Sequence, residues 1–397
     1  MRMTVPQNIA DVLETLENAG HSAYLVGGCV RDAALGMTPH DYDITTDARP
    51  DEMTVIFDGW RVIETGLKHG TLTVLSDGEP VEVTTYRIDG EYTDNRHPAS
   101  VTFTDRIEED LSRRDFTVNA MAYSPTRGLC DPFGGINHLG ERLISCVGKP
   151  AARFSEDGLR ILRALRFASG LDFQIDSETS RAVHALSHLL DGISRERIYS
   201  ELCRLICGEG AGRIFAGYGD VLSRCFGGMI PAELFTRAAV MISSMPDDSG
   251  ARLVFLFHLW GGDVHTVCRH LKTSRREMLR IAALVRELSE SVPTGKVEIK
   301  RLMGRLTHED ILHLTGIRRG MGEETDGFSE MYEKLYSENP CVRIADMNID
   351  GADVARLTGA EGAEIGRILG KLLELVIRDE CENTAEALAD AAKKLKL

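Results

Sequence analysis

Two aspartates separated by one residue are the first feature of this sequence that could carry out chemistry. Asp41 and Asp43 lie in the segment HDYDITTD, whose β-branched residues predict a strand. Because side chains two positions apart in a strand point to the same face, both carboxylates would project side by side. Such a pair repels unless a cation lies between its members, and oxygen ligands of this kind suit Mg²⁺. A bare pair is also typical of an Asp-rich surface turn, so the surrounding residues must decide.

The segment before these aspartates contains groups that could hold a phosphate. The apolar run YLV ends in Gly27 and Gly28, and Arg31 follows. Glycines let backbone N–H groups approach a phosphate closely, and a guanidinium matches its oxygens. The segment fits neither the P-loop pattern GxxxxGK[ST] nor the dinucleotide pattern GxGxxG. The glycines alone could form an ordinary tight turn, but together with the arginine and the carboxylate pair they predict a site for a nucleoside triphosphate with Mg²⁺.

A second group of charges lies in SEDGLRILRALRF, residues 155–167. Ser155 is a suitable N-cap, and acidic residues after it favour a first helical turn, so the sequence predicts a helix beginning here. Spacings of three place four charged side chains in one row: Asp157, Arg160, Arg163 and Arg166. Most pairs of this kind are surface salt bridges, and spacing alone does not separate that interpretation from a binding site.

The chain has two parts whose sequence patterns differ, and these parts must position the candidate residues. Up to about residue 145, short runs of β-branched and aromatic residues alternate with turns, and TLTVLS and VEVTTY, joined by DGEP, predict a hairpin. After about residue 150, apolar residues recur at helical spacing. The sequence predicts an α+β fold, in which a head with a mixed β-sheet and helices precedes an all-α remainder.

Composition excludes several classes of protein. The 397 residues, 43% hydrophobic and 27% charged, are enough for two or more domains. The N-terminal segment resembles an amphipathic helix rather than a signal peptide, and the most apolar run, residues 253–260, is too short to span a bilayer. We expect a cytoplasmic protein with no membrane partner. The nine cysteines contain no CxxC pair, which favours reduced thiols over a zinc site.

The net charge of −15 argues mildly against a nucleic-acid partner, but two segments are locally basic. They are either solvated helix faces or a local surface for RNA. The candidate RNA-binding residues in them are Arg269, Lys272, Arg275, Arg276, Lys300, Arg301, Arg305, Arg318 and Arg319.

Five segments resemble, in order, the motifs of the class II tRNA nucleotidyltransferases, the CCA-adding enzymes, and of the related bacterial poly(A) polymerases. They are LVGGCVRDAALG with HDYDITTDARP, then LSRRDFTVNAMAY, DPFGG, RFSEDGLRILRALRFASGLDF and RERIYSEL. Further downstream, GAEGAEIGRILGKLLELVIRDE is similar to the C-terminal segment of the family. The resemblance covers almost the whole chain and is strongest to bacterial CCA-adding enzymes. It implies a catalytic head at 1–145, a helical neck at 146–208 that reads the base, a helical body at 209–292 and a tRNA-binding tail at 293–397.

The resemblance also implies roles for individual residues. Asp41 and Asp43 would be the catalytic residues and hold two Mg²⁺ ions. The triphosphate would be gripped by Gly28, Arg31 and Arg114. Arg113 and Asp115, which flank Arg114, could form no more than a surface ion pair. Glu82 in VEVTTYR would either join the metals as a third carboxylate or face solvent.

Base selection is the role that the resemblance implies for Asp157 and Arg160, with Arg163 and Arg166 beside them. Cytosine and adenine each present an amino donor beside a ring-nitrogen acceptor, so a carboxylate and a guanidinium match both bases. Uracil and guanine present the reverse order and would leave polar groups unpaired, which makes rejection strong. One Asp–Arg pair could therefore select C and A without a template.

The implied reaction is template-independent addition of nucleotides from CTP and ATP to the 3′ end of a tRNA, with release of pyrophosphate. Full CCA addition, partial addition of only CC or only A, and poly(A) synthesis remain open. ETGLKHGTLTV, residues 64–74, resembles the CCA type. Residues 86–103 keep the character of the family's flexible loop, which is associated with A addition and disfavours a CC-only enzyme.

Two alternatives belong to other classes of function. An RNA-binding protein with an idle head is disfavoured by the intact aspartate pair. An adenylyltransferase for a small molecule would not need the long helical remainder, whose basic segments would instead contact tRNA. The sequence indicates no protein partner.

Overall fold

The computed structural model describes residues 3–67, 70–90 and 100–395. The chain folds as two compact units, Met1–Ser243 with His265–Ser274 and Ser244–Val264 with Arg275–Leu397. The first unit combines a β-sheet with helices, and the described residues of the second form helices without strands. The predicted α+β fold is confirmed, whereas the finer division into head, neck, body and tail stays a prediction.

The strands, in chain order, are β1 (Ala23–Val26), β2 (Asp43–Thr46), β3 (Arg61–Ile63), β4 (Thr71–Ser76), β5 (Glu79–Thr85), β6 (Arg87–Asp89), β7 (Val101–Phe103), β8 (Ala122–Ser124), β9 (Gly128–Cys130), β10 (Leu143–Ile144) and β11 (Gln174–Ile175). The first-unit helices are α1 (Gln7–Asn18), α2 (Gly28–Ala34), α3 (Pro50–Ile56), α4 (Ile107–Ser112), α5 (Gly135–Gly140), α6 (Pro150–Glu156), α7 (Leu159–Gly170), α8 (Ser177–Ala185), α9 (Arg195–Ile206), α10 (Ala211–Gly217), α11 (Gly219–Cys225) and α12 (Ala232–Ala238).

The remaining helices are α13 (Ser249–Trp260), α14 (Val264–His270), α15 (Arg275–Leu288), α16 (Lys296–Arg305), α17 (His308–Gly320), α18 (Asp326–Ser337), α19 (Gly351–Thr358), α20 (Ala363–Ile377) and α21 (Ala385–Leu395). In the second unit, α19, α20 and α21 pack together around buried side chains that include Val354, Leu372 and Leu388. No helix among the described residues is long and apolar enough to cross a membrane.

A seven-stranded mixed sheet in the order β3-β4-β5-β2-β1-β8-β9 forms the centre of the head. β2 and β5 are parallel, and the other neighbouring strands are antiparallel. The predicted hairpin is β4–β5, whose turn residues Asp77 and Gly78 both have positive φ. An Asp–Gly pair is favoured in such two-residue turns because it tolerates this backbone conformation.

The register of the sheet places Asp43 between two segments of the predicted site. Its Cα is opposite that of Val26 at the end of β1 and that of Glu82 in β5. β1 ends at Val26, and the next residue, Gly27, has a φ of 79° that turns the chain into α2. Sheet pairing therefore brings the glycine turn, the carboxylate pair and Glu82 to one place.

The predicted helix start at Ser155 is wrong. Ser155 lies inside α6, and a break at Asp157 and Gly158 separates α6 from α7. Asp157 is extended, with φ −142° and ψ 107°, and its Oδ1 accepts a hydrogen bond from the Leu159 backbone N–H at 3.0 Å. A side chain at Gly158 would lie 3.0 Å from the Leu189 carbonyl oxygen, so close packing selects glycine at this break.

Three other sequence predictions have mixed outcomes. The helical part does contain a short strand, since β11 pairs with β10 in parallel. None of the nine cysteines, all of which lie within the described residues, forms a disulfide. The two segments used to compare family members contain Lys68, His69 and residues 91–99, which lie outside the described residues.

The sheet core generates a stability prediction. Leu25 in β1 is fully buried, so we expect Leu25→Ala to lower the free energy of unfolding by about 2–5 kcal/mol, through lost burial and a cavity. Urea denaturation followed by circular dichroism would measure the change. Leu279→Ala is the matched control, because that side chain is 51% exposed, and it should cost less than about 0.5 kcal/mol. Equal effects of the two substitutions would contradict this core.

Candidate nucleotide-binding site

One cleft of about 490 Å³ in the first unit collects all the residues that the sequence assigns to nucleotide binding. The predicted members are Gly28, Arg31, Arg114, Asp157, Arg160, Arg163 and Arg166. Gly27 of the predicted glycine turn also lines the cleft, together with residues that were assigned no binding role from the sequence: Arg113, Asp115, Asn119, Leu159, Phe167 and Arg197. Asp43 lines the same cleft, so the carboxylates adjoin the arginines.

The glycine turn and two arginines form one end of the cleft. A side chain at Gly27 would lie 3.1 Å from Arg114 Nη1, in addition to the strain of a positive φ, so glycine is required here. Arg31 donates from Nη1 to Asn119 Oδ1 at 2.7 Å and from Nε to Asp32 Oδ1 at 2.8 Å. These bonds fix a guanidinium beside the glycine turn, which is an arrangement suited to phosphate oxygens.

The carboxylates lie where the cleft adjoins a second cavity of about 510 Å³, lined by residues that include Asp41, Asp43 and Glu82. Desolvation raises the pKa of Asp43, and the negative charges of Glu82 and Asp41 raise it further, while Arg114 lowers it. Since β2 begins only at Asp43, Asp41 lies in the segment before the strand and not on a shared strand face as predicted.

These donors fit a divalent cation. Neighbouring carboxylates repel one another, and a cation between them relieves that repulsion; Mg²⁺ is commonly held by one or two carboxylates together with water and phosphates. Within the described residues, no group of three His, Cys, Asp or Glu side chains is arranged to hold a metal ion. Asp41 and Asp43 therefore fit an open site, and the participation of Glu82 stays a prediction.

The base-reading end differs from the predicted row of charges. Asp157 Oδ2 accepts a hydrogen bond from Arg197 Nη2 at 2.8 Å, and Arg160 pairs with Glu156 on α6. Arg160 also donates from Nη2 to the Arg113 carbonyl oxygen at 3.2 Å. Asp157 and Arg160 both line the cleft. Asp157 lies in the break before α7, and its carbonyl oxygen accepts a hydrogen bond from the Arg160 backbone N–H at 2.9 Å. RERIYSEL resembles a family motif, but no local pattern in it indicates that Arg197 reaches Asp157.

Asp115 and Arg163 form a buried ion pair that the sequence did not predict. Arg163 donates to Asp115 Oδ2 from Nε at 2.8 Å and from Nη2 at 2.5 Å. Burial would raise the pKa of Asp115, but the charge and hydrogen bonds of Arg163 outweigh it and hold the pKa below its usual value. The surface pair proposed between Arg113 and Asp115 is absent, since Arg113 pairs with the fully buried Asp110 at 2.9 Å.

Three family models match the chain. The "Poly A polymerase head domain" matches residues 23–145, the "Probable RNA and SrmB- binding site of polymerase A" residues 172–217, and "tRNA nucleotidyltransferase domain 2 putative" residues 247–392. The chain is 32% identical over 404 residues to the CCA-adding enzyme of Pediococcus pentosaceus, and the match covers 99% of both chains. This chain belongs to the CCA-adding enzyme family of tRNA nucleotidyltransferases.

Two further comparisons agree with this membership. The CCA-adding enzyme of Lactobacillus helveticus is 34% identical over 384 residues, which cover 95% of this chain and 94% of that one. The crystal structure of the Bacillus stearothermophilus CCA-adding enzyme in complex with CTP superposes with a TM-score of 0.84 at 28% identity, covering 99% of this chain and 98% of that chain. The family predicted from five ordered motifs is confirmed.

Within this CCA-adding enzyme family member, much of the predicted RNA-binding charge is used inside the fold. Lys300 is buried and lies 2.6 Å from Asp379, and Arg305 makes two contacts with Glu287, at 2.9 and 2.8 Å. Arg301 pairs with Glu374. These side chains link α16 to other helices of the second unit.

Arg318 is the clearest case of a basic residue with an internal role. It is 4% exposed and donates to the carbonyl oxygens of Glu287 and Glu290 at 2.8 and 2.6 Å. The geometry therefore assigns Lys300 and Arg318 to packing and not to a surface, because burial leaves no room for a phosphate. The remaining candidates are exposed: Arg269, Lys272, Arg275, Arg276 and Arg319.

The buried pair generates a pH-dependent prediction. Arg163→Met leaves Asp115 buried without its cation, so we expect a loss of about 3–5 kcal/mol of stability at neutral pH. Because the folded-state pKa is lowered, the stability contributed by the carboxylate is present above its ordinary value of 3.8 and is lost as the pH falls through the folded-state value. The difference in the free energy of unfolding between Arg163→Met and the wild type should therefore become smaller in acid.

Urea denaturation of Arg163→Met, Asp115→Asn and the double variant between neutral and acid pH would measure this coupling. The ion pair would be contradicted if the two single substitutions lowered the free energy of unfolding additively at neutral pH. It would also be contradicted if the difference between Arg163→Met and the wild type did not depend on pH.

Proposed function

We propose that this chain adds C, C and A in order to the 3′ end of tRNA, using CTP and ATP and releasing pyrophosphate. The observation that carries the proposal is a cleft in which Asp43, the glycine turn with its arginines, and Asp157 with Arg160 are adjacent, and which meets at Asp43 a second cavity that Asp41 lines. Curated relatives that match over nearly their full length are CCA-adding enzymes. We also propose that the protein acts in the cytoplasm.

The glycine turn and its arginines would bind the triphosphate. Gly27 and Gly28 let the incoming phosphates approach the backbone, while Arg31 and Arg114 supply positive charge from two sides of the turn. Arg31 is already fixed by Asn119 and Asp32, so little side-chain entropy is lost when a nucleotide binds.

Asp41 and Asp43 would hold Mg²⁺, and we propose two ions. Mg²⁺ bound there would supply a lower pKa for the RNA 3′-hydroxyl and neutralise charge on the phosphates. The RNA 3′ oxygen forms a bond to the α-phosphorus of the nucleotide. The bond between the α-phosphorus and the oxygen that bridges it to the β-phosphate breaks, and pyrophosphate leaves. The protein contributes chiefly by orienting the reacting groups and by charge stabilisation.

Asp157 and Arg160 would select the base at the other end of the cleft. The remaining lone pairs of the Asp157 carboxylate can accept the amino group of cytosine or adenine, and Arg160 can donate to the ring nitrogen. Glu156 and the Arg113 carbonyl hold Arg160 in place before a nucleotide arrives. The exposed residues Arg269, Arg275 and Arg276 would contact tRNA phosphates.

The decisive experiment supplies the protein and Mg²⁺ with tRNAs that end before CCA, after C and after CC. Labelled CTP and ATP are added separately and together, and products are sized on a sequencing gel. We expect C to be added only to the first two substrates, A only after CC, and synthesis to stop at CCA. A long A tail would identify a poly(A) polymerase, and addition of A alone would identify a partial enzyme.

Asp41→Asn is the control for this experiment, because it removes one ligand charge at constant shape. It should abolish incorporation while tRNA binding, measured by filter retention, is unchanged. Undiminished incorporation by Asp41→Asn would overturn the carboxylate assignment.

Asp157→Ala should weaken base selection. A hydrogen bond to a charged group contributes about 1.5–3 kcal/mol, so we expect the preference for CTP over UTP in kcat/KM to fall by about 10- to 100-fold. Glu178→Ala is the matched control, since Glu178 is an exposed carboxylate on α8 that does not line the cleft, and it should leave the preference for CTP over UTP unchanged. Unchanged rejection of UTP by Asp157→Ala would contradict the base-reading role.

A further inference from the structure

Phe167 lies in the middle of the cleft arginines and has no role so far. It belongs to α7, is partly exposed, and lines the cleft. The Arg166 guanidinium carbon lies 3.9 Å from the centre of its ring, and those of Arg31 and Arg163 each lie 5.3 Å from it. All three distances are within the range of about 6 Å in which a cation is attracted to an aromatic face.

The three guanidinium groups repel one another, and burial makes that repulsion costly. Desolvation, assisted by the positive charge of Arg163 and opposed by Glu201, lowers the pKa of Arg166 to about 10. Each arginine has one carboxylate partner: Asp32 for Arg31, Asp115 for Arg163 and Glu201 for Arg166. All three arginines contact the Phe167 ring, so the ring reduces the repulsion among their guanidinium groups without neutralising their charges.

The ring is held in place from below and joins two parts of the site. Phe116 is fully buried and contacts Phe167 edge-on, with ring centres 5.7 Å apart and an interplanar angle of 73°. This edge-to-face packing is a favourable arrangement that restricts the orientation of the ring. Arg31 comes from α2 at the glycine turn, whereas the other two arginines come from α7.

We propose that Phe167 is a positioning residue that holds Arg31, Arg163 and Arg166 as one preorganised group for the triphosphate of the incoming nucleotide. The inference rests on the proposed function, because it takes the nucleotide to bind in this cleft. The face of the ring carries negative charge density but no net charge, so it collects the arginines without competing with phosphate as a carboxylate would. If Phe167 only filled space, any apolar side chain of similar volume would serve.

The sharpest test changes the electrostatics of the ring and hardly changes its size. Phe167 is replaced by phenylalanine with one, two and three fluorine atoms through nonsense suppression. The measurements are the Kd for CTP without tRNA, by calorimetry, and KM and kcat with tRNA lacking CCA. Since fluorine withdraws charge from the ring face, we expect Kd and KM to rise stepwise, by about 3- to 30-fold over the series. kcat should change less than twofold, because Asp41 and Asp43 are untouched.

Ordinary substitutions complete the test. Phe167→Leu should raise KM for CTP and ATP to the same extent as the trifluorinated ring. Phe167→Tyr, which keeps an aromatic ring, should have a KM close to that of the wild type. Phe173→Leu is the matched control, because Phe173 contacts Arg142 at 5.3 Å and does not line the cleft. It should lower the melting temperature without changing KM.

Two results would overturn the inference in ways that can be told apart. If fluorination leaves Kd and KM unchanged and Phe167→Leu lowers only the melting temperature and the active fraction, the ring is a packing residue and the proposed function stands. If wild-type protein neither binds CTP nor extends tRNA, the proposed function fails and the inference fails with it.

Discussion

Mutual repulsion among the arginines of one cleft is the constraint on which the rest of this structure depends. A cleft that binds a triphosphate, as proposed here, must remain positive, yet several guanidiniums held close together would push the surrounding elements apart. The fold meets this constraint by giving the arginines carboxylate partners from other segments of the chain. Asp115 pairs with Arg163, Glu201 with Arg166, and Asp110 with Arg113 and Arg114.

These pairs also determine how the elements pack. On α9, Glu201 pairs with Arg166 of α7 and Arg197 pairs with Asp157 in the break before α7, so α9 is tied both to α7 and to the segment that precedes it. Asp115 follows α4 in the chain and ties the head to the same helix α7. Buried ion pairs often add little net stability compared with apolar contacts, but removing one partner is costly. Their contribution here is geometric, because they fix the directions in which the arginines point.

The sequence predicted the parts of the site that depend on local spacing. The aspartate pair, the glycine turn and the Asp77–Gly78 hairpin each follow from residues close together in the chain. It did not predict the pairing of Asp157 with Arg197, which is 40 residues away in the chain. Nor did it predict the burial of Lys300 and Arg318, because a basic segment looks the same whether its partners are phosphates or carboxylates of a neighbouring helix. Tertiary partners, not propensities, decided these cases.

The break between α6 and α7 shows why the correction to the predicted helix matters for function. In a continuous helix, Asp157 and Arg160 would stand on one face and neutralise each other. The extended backbone at Asp157 instead turns its carboxylate toward Arg197 and the Leu159 amide, while Arg160 turns to Glu156. The Asp157 and Arg160 side chains are therefore each held by another residue. Under the proposed function, the Asp157 carboxylate is the acceptor and the Arg160 guanidinium the donor for an amino group beside a ring nitrogen. The helix break gives the two side chains different partners, Arg197 for the carboxylate and Glu156 for the guanidinium, so each is oriented by a contact outside the proposed pair.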